Sequence, residues 1–295
     1  MCSSDLVLSR GYKRKTRGEV VATPEMTARD MGDEPWQMKQ KYPRVEVCVC
    51  EDRKTAILHM FERTEGERPQ VLLLDDAMQH RRIQAGLNIL LTDYSRLICD
   101  DKMLPAGRLR EPFSGRRRAH IVIVTKCPDS LTAQEARDIE RRLCLTPRQQ
   151  IFFSKISYGT MRPVFGESQA TLRLEELRAL DAVLIIAGIA VLQALGDNMR
   201  EFNSHVEMLS FPDHHDFSVA DQKRMNETFG ALQGTDTIAV TTEKDAARLR
   251  LCRELDTPLR QKLYTLPIET EFLLGGAERF NQIIINYVRE NQRNS

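Results

Sequence analysis

Eight short runs rich in Val, Ile and Leu recur along the chain, and polar text of helical character follows most of them. They occupy 6–9, 45–50, 71–74, 88–92 and 120–125, then 182–187, 237–241 and 263–266. Apolar runs that do not alternate with polar residues are buried on both faces, which calls for a parallel sheet covered by helices. Helical stretches at 133–143 and 278–290 lie between or after them, and in the second Phe280, Ile283, Ile284 and Val288 fall near one face. The β-α-β-α order predicts a doubly wound α/β fold. Gly159, Pro163, Gly166 and Ser168 punctuate a seam between residues 158 and 175. We therefore expect a larger N-terminal part, 1–160, and a smaller C-terminal α/β part, 161–295.

Composition narrows the function classes. Apolar residues make up 41% and charged residues 29%, ordinary for a globular chain and unlike a disordered one. A net charge of +1 gives no general pull toward nucleic acid. Basic residues do cluster locally, at Lys13, Arg14, Lys15 and Arg17 and at Arg108, Arg110, Arg116, Arg117 and Arg118, where a solvated face is the plain alternative. Seven dispersed cysteines without paired CxxC motifs suit a reducing compartment and argue against structural zinc. The longest apolar stretch, 183–195, is too short to span a bilayer and contains Gly188.

Four segments carry chemistry. At 71–81 an apolar strand ends in Asp75-Asp76, followed by Ala77-Met78-Gln79-His80-Arg81. Ligands of open α/β sheets bind beyond the carboxyl ends of the strands, where a carboxylate can hold Mg²⁺ beside a nucleotide phosphate. Two turn aspartates are the alternative, but a turn needs no Gln-His-Arg. In Gly32-Asp33-Glu34-Pro35 the acids can cap a helix, or one can accept a hydroxyl proton during phosphoryl transfer. In Asp213-His214-His215-Asp216 a histidine flanked by acids can polarise a catalytic carboxylate or orient a phosphate. Arg108 and Arg110, in a loop bounded by Pro105, Gly107 and Pro112, form a fork suited to phosphate, or are solvated loop arginines. Two further strand ends, Thr125-Lys126 and Thr242-Glu243-Lys244-Asp245, each place a lysine just past a buried strand, where its stem can cover a nucleobase.

These motifs, with Leu8-Ser9-Arg10-Gly11-Tyr12-Lys13-Arg14 and Gly188-Ile189-Ala190, occur together in one order from Leu8 to about Arg250. The series resembles the tetraacyldisaccharide 4'-kinase family of lipid A biosynthesis. The resemblance implies a P-loop kinase-like core with a smaller C-terminal subdomain, the cofactors ATP and Mg²⁺, and a glycolipid acceptor. It implies a peripheral position on the membrane surface, at the cytoplasmic face of the bacterial inner membrane, and the chain is expected to be a monomer that binds no nucleic acid. Asp33 would be the base toward the 4'-hydroxyl, partnered by His214 rather than His215. Glu34, Asp75 and Asp76 would serve Mg²⁺ or its waters. Thr125, Lys126, Glu243, Lys244 and Asp245 would meet the nucleotide, and Arg10, Gln79, His80, Arg108 and Arg110 the substrate.

The sequence departs from the family pattern in three places. Met78 stands where an aromatic residue is usual, and Val191-Leu192 replaces an Asn-Pro. The phosphate-binding loop GxxxxGK[ST], which the family carries upstream of the first strand after a membrane-associating helix, occurs nowhere in the 295 residues. The expectation is therefore an N-terminally incomplete kinase with impaired turnover. The rival readings are a GTPase-like regulator and a non-catalytic nucleotide-binding protein.

Overall fold

The computed structural model describes residues 5–166, 170–188, 192–212 and 215–292. Asp213, His214, Ile189, Ala190 and Val191 of the motifs above lie outside the described residues. The chain forms two compact units, one of Met1–Ser157 with Thr270–Ser295 and one of Tyr158–Glu269. This differs from the expected 161–295 part, because the last helix counts with the first unit. Its apolar stripe, Phe280, Ile283 and Ile284, packs on Ile121, Ile123 and Phe152 of that unit.

In the first unit the elements run β1 (Asp5–Ser9), β2 (Val20–Val21), α1 (Ala28–Met31), α2 (Asp33–Lys41), β3 (Glu46–Val49), α3 (Arg53–Glu62) and β4 (Val71–Leu74). β5 (Ile89–Asp93), β6 (Ile121–Thr125), α4 (Ala133–Leu143) and β7 (Gln150–Tyr158) follow. The second unit holds β8 (Arg162–Pro163), β9 (Ala182–Ala187), α5 (Leu192–Arg200), β10 (Val206–Ser210), α6 (Val219–Gly230), β11 (Thr237–Thr242), α7 (Glu243–Leu249), α8 (Thr257–Gln261) and β12 (Leu263–Leu266). β13 (Ile268–Phe272) then leads back into the first unit, which closes with α9 (Gly276–Gln292).

The first unit has two sheets, in the orders β2-β3-β1-β4 and β13-β7-β6-β5. β1 is parallel to β3 and β4, and β5, β6 and β7 are parallel to one another. Strand alternation sends Leu6, Leu8, Cys48 and Cys50 to one face, against Ala56 and Met60 of α3. The intervening Val7, Val47 and Val49 meet Met31 and Trp36 on the other. The β6 residues split likewise, Val122 and Val124 packing on Ala136, Ile139 and Leu143 of α4, and Ile121 and Ile123 facing α9. A Thr132–Glu135 capping box starts α4.

The second unit is one sheet, β10-β9-β11-β12-β8, parallel but for β8. Every residue of β9 and β11 is buried, as a strand covered on both faces requires. From β9 the chain crosses to β10 on one side and returns to β11 on the other, so the strand order reverses at the ends of β9 and β11. Among the described residues no helix is long and apolar enough to cross a membrane.

Candidate functional site

The carboxyl ends of β1, β3 and β4 share one edge of the first sheet, because the three strands are parallel and in register. Past that edge Cys50 N–H donates to the Ser9 carbonyl at 3.0 Å, and Asp75 N–H to the Leu8 carbonyl at 3.0 Å. The buried Ser9 hydroxyl donates to the Asp75 carboxylate at 2.9 Å. Asp76 follows with φ +44°, in the left-handed region that L-residues other than Asn and Asp seldom enter. That turn aims its carboxylate at Arg110, whose Nη1 donates to one oxygen at 2.7 Å while Nη2 meets the other. The Arg110 fork holds the Asp76 carboxyl below the usual range, against the opposing effect of burial. Gln79 donates to the Asp76 carbonyl at 2.9 Å, and His80 closes the turn by donating its N–H to the Ala77 carbonyl at 2.8 Å.

Asp33 reaches the same edge through a backbone contact. Gly32, with φ +89°, is the cap residue of α2, so Asp33 and Glu34 occupy its first turn and neither is the cap. Their negative charge there complements the helix macrodipole. A Cβ on Gly32 would lie 3.0 Å from the Tyr12 carbonyl oxygen and 3.2 Å from the Gly11 carbonyl carbon. The two glycines thus let the start of α2 press against the loop that leaves β1 through Arg10. Arg10 is exposed, and its charge is felt by both Arg53 and His80.

Arg53 is the residue the sequence reading missed. It begins α3, is only 3% exposed, and donates Nη2 to the Asp75 carbonyl at 2.8 Å and to the Asp76 carbonyl at 3.3 Å, while Nη1 meets His80 Nε2. No sequence motif marks it; its one signal is a position just past a buried strand. The arginine clusters also sort by structure. Arg14, with a side chain 2% exposed, ties Glu51 at 2.8 Å, and Arg116 caps α4 through the Leu143 and Cys144 carbonyls. Arg118 holds the Met78 carbonyl at 2.7 Å. Arg108 is exposed, its N–H donating to Asp101 at 3.2 Å.

The other expected site residues stand elsewhere. Thr125 and Lys126 lie at the end of β6 in the second sheet of the same unit, where Lys126 pairs with Asp93 at 2.7 Å. Glu243, Lys244 and Asp245 belong to the second unit. Asp245 is fully buried there, accepting from Gly188 N–H and from the Thr242 hydroxyl, both at 2.8 Å. A carboxylate so enclosed braces the end of β9 against α7. His215 pairs with Asp221 at 2.9 Å and stacks on Phe211, with ring centroids 5.3 Å apart.

Asp221 also receives the Ser218 hydroxyl and N–H in the capping box of α6. The Ser218 hydroxyl first, then His215, hold its pKa at about 2. A depressed carboxyl contributes stability above its unfolded value, about 3.9, and loses it as pH falls through the folded value. Asp221→Ala is therefore expected to lower the melting temperature at pH 7 and to flatten its fall between about pH 4 and pH 2. Parallel melting curves for the variant and the parent across that window would contradict the assignment.

Comparison with known proteins places this arrangement. The family model for tetraacyldisaccharide-1-P 4'-kinase matches residues 4–289. The tetraacyldisaccharide 4'-kinase of Bacteroides thetaiotaomicron is 48% identical over 295 residues, covering 98% of this chain and 77% of its own length. That of Flavobacterium johnsoniae is 40% identical over 284 residues, covering 96% of this chain and 78% of its own. A crystal structure of LpxK from Aquifex aeolicus in complex with ATP superposes with a TM-score of 0.67 at 25% identity, covering 95% of this chain and 78% of that one. The chain belongs to the tetraacyldisaccharide 4'-kinase family.

Proposed function

We propose that the chain transfers the γ-phosphoryl group of ATP to the 4'-hydroxyl of a tetraacyldisaccharide 1-phosphate in lipid A assembly. The observation that carries this reading is the gathering at one sheet edge of Asp75, Asp76, His80, Arg53 and Arg110, with the helix that starts at Asp33 pressed against the loop after β1. Family membership supplies the reaction class, and the ATP bound by the Aquifex aeolicus relative supports the donor.

Asp33 takes the proton of the attacking hydroxyl. Magnesium, when bound with ATP, neutralises charge on the phosphates. The hard oxygen donors present suit that ion, which is normally held by one or two carboxylates together with phosphates and water. Asp75, Asp76 and Glu34 would hold the ion or its waters; the Asp75 carboxylate also accepts from the Ser9 hydroxyl, and that of Asp76 is engaged by Arg110. Arg10, Arg108 and Arg110 take phosphate oxygens, and Gln79 and His80 face the acceptor. Thr125 and Lys126 contact the nucleotide. The chain works as a monomer at the cytoplasmic face of the inner membrane, where exposed Tyr12, Lys13, Lys15 and Arg17 meet anionic headgroups.

Transfer of label from γ-labelled ATP to the disaccharide 1-phosphate in mixed micelles tests the reading. Release of phosphate that does not depend on the glycolipid would favour a GTPase-like hydrolase and overturn the kinase reading.

A further inference from the structure

We propose that Arg53 is a positioning residue that fixes His80 as a neutral ring carrying its proton on Nδ1, so that this nitrogen donates to a phosphate oxygen. The proposal rests on the reading of this sheet edge as a phosphoryl-transfer site, and deepens it by naming the atom that binds and the group that sets it.

The argument starts from what a guanidinium can do. Arginine offers five N–H donors and no acceptor, and it is not deprotonated in proteins. A ring nitrogen that faces it must therefore present a lone pair. Arg53 Nη1 meets His80 Nε2, so Nε2 is the acceptor and the imidazole is uncharged with its proton on Nδ1. His80 Nδ1 has no hydrogen-bond partner among the described residues, although the ring is half-buried. A neutral donor held in that way is suited to an oxygen acceptor, and the surrounding charges specify an anionic one. Arg10, Arg53 and Arg110 all act on His80, and the Asp76 carboxylate opposes them. Burial first, and then the Arg53 and Arg10 charges, also lower the pKa of His80, which keeps the ring neutral near pH 7.

Arg53 is placed to enforce this. Asp52 caps α3, accepting from Lys54 N–H at 3.1 Å and Thr55 N–H at 3.3 Å, which fixes the helical position from which the Arg53 side chain departs. The same guanidinium binds the carbonyls of Asp75 and Asp76, at the start of the turn that ends in His80. One buried side chain thus spans the turn and reads its far end. A role confined to bracing would be complete with the two carbonyls and would not need the ring.

The tautomer is visible without turnover. In protein labelled with ¹⁵N-histidine, His80 is expected to show a protonated Nδ1 and an unprotonated Nε2 at neutral pH, and Arg53→Met is expected to shift the proton toward Nε2. Two substitutions at His80 keep the test available should Arg53→Met fail to fold. Asparagine can place an N–H where Nδ1 stands, whereas glutamine can place an acceptor where Nε2 stands. His80→Asn should keep phosphate-ligand affinity within about threefold, and His80→Gln should lose about 10- to 100-fold, the size of one hydrogen bond to a charged group. Separate titrations with Mg-ATP and with the disaccharide 1-phosphate show which phosphate the donor serves. A proton on Nε2 in the parent protein, or equal losses in the two His80 variants, overturns the proposal. The spectrum is read in the absence of substrate, so failure of the kinase reading and failure of this one are distinguishable.

Discussion

Asp33→Ala is expected to reduce phosphate transfer by about 10²- to 10⁴-fold, the usual contribution of a positioned general base. The prediction follows from where Asp33 stands. It opens the first turn of α2 directly after Gly32, and the close approach of Gly32 to Gly11 and Tyr12 leaves the start of that helix little freedom. A base held by the backbone in this way loses little orientational entropy when the acceptor hydroxyl arrives. Asp33→Asn separates proton removal from shape, because it keeps the volume and abolishes the basicity. Both variants should fall together in kcat while affinity for ATP stays close to the parent. Since Asp33 is only partly buried, folding stability should change by no more than about 1 kcal/mol. A rate within about twofold of the parent for either variant would falsify the assignment of Asp33 as the base. A large loss of ATP affinity in both would instead make it a ligand of the nucleotide's magnesium.

The sheet was legible where text is unbroken and opaque where it is interrupted. Runs such as Ile121–Thr125 and Ala182–Ala187 are buried on nearly every residue, so periodicity was not needed to find them. β7 carries Ser154 and Lys155, β10 carries Glu207, and β13 alternates Glu269 and Glu271 with Ile268, Thr270 and Phe272. These strands escaped notice because each has a side that tolerates charge, as half-exposed and edge strands do. The site shows a similar division. Asp75-Asp76 and Gly32-Asp33 announce themselves because strand ends and glycines before acids have few structural uses. Arg53 does not, since nothing in Asp52-Arg53-Lys54 separates a buried clamp from a solvated helix start. Arg14 and Arg116 belong to clusters whose plain reading is a charged surface, yet both are buried against backbone carbonyls. Charge runs in a sequence report composition, whereas the partner that neutralises each charge is a property of the fold. The assignment of α9 to the first unit was hidden for a related reason. Its apolar stripe is plain in the text, but the sheet that receives it lies more than a hundred residues upstream.

Phe152→Ala is expected to cost about 3–5 kcal/mol, the largest loss of stability among the changes considered, and to loosen α9. Phe152 is 1% exposed. Its ring meets Phe280 edge-on at 5.5 Å and Phe272 at 5.9 Å between centroids, and the Arg279 guanidinium lies 4.4 Å from its centre. Two aromatic contacts and a cation over the ring each add to the area the side chain removes from water. The cavity left by alanine cannot close easily. Gly276 already stands so near that a Cβ there would lie 3.2 Å from the Phe152 ring, so the start of α9 is set by the ring itself. Urea unfolding followed by far-UV circular dichroism measures the loss, and limited proteolysis reports whether α9 opens first. Leu91, on the edge strand β5 and 60% exposed, provides the control, since its alanine variant should change stability by less than about 0.5 kcal/mol. A cost below about 1 kcal/mol for Phe152→Ala would mean that the α9 stripe does not pack on β6 and β7, and the return of the chain to its first unit would then have to be abandoned.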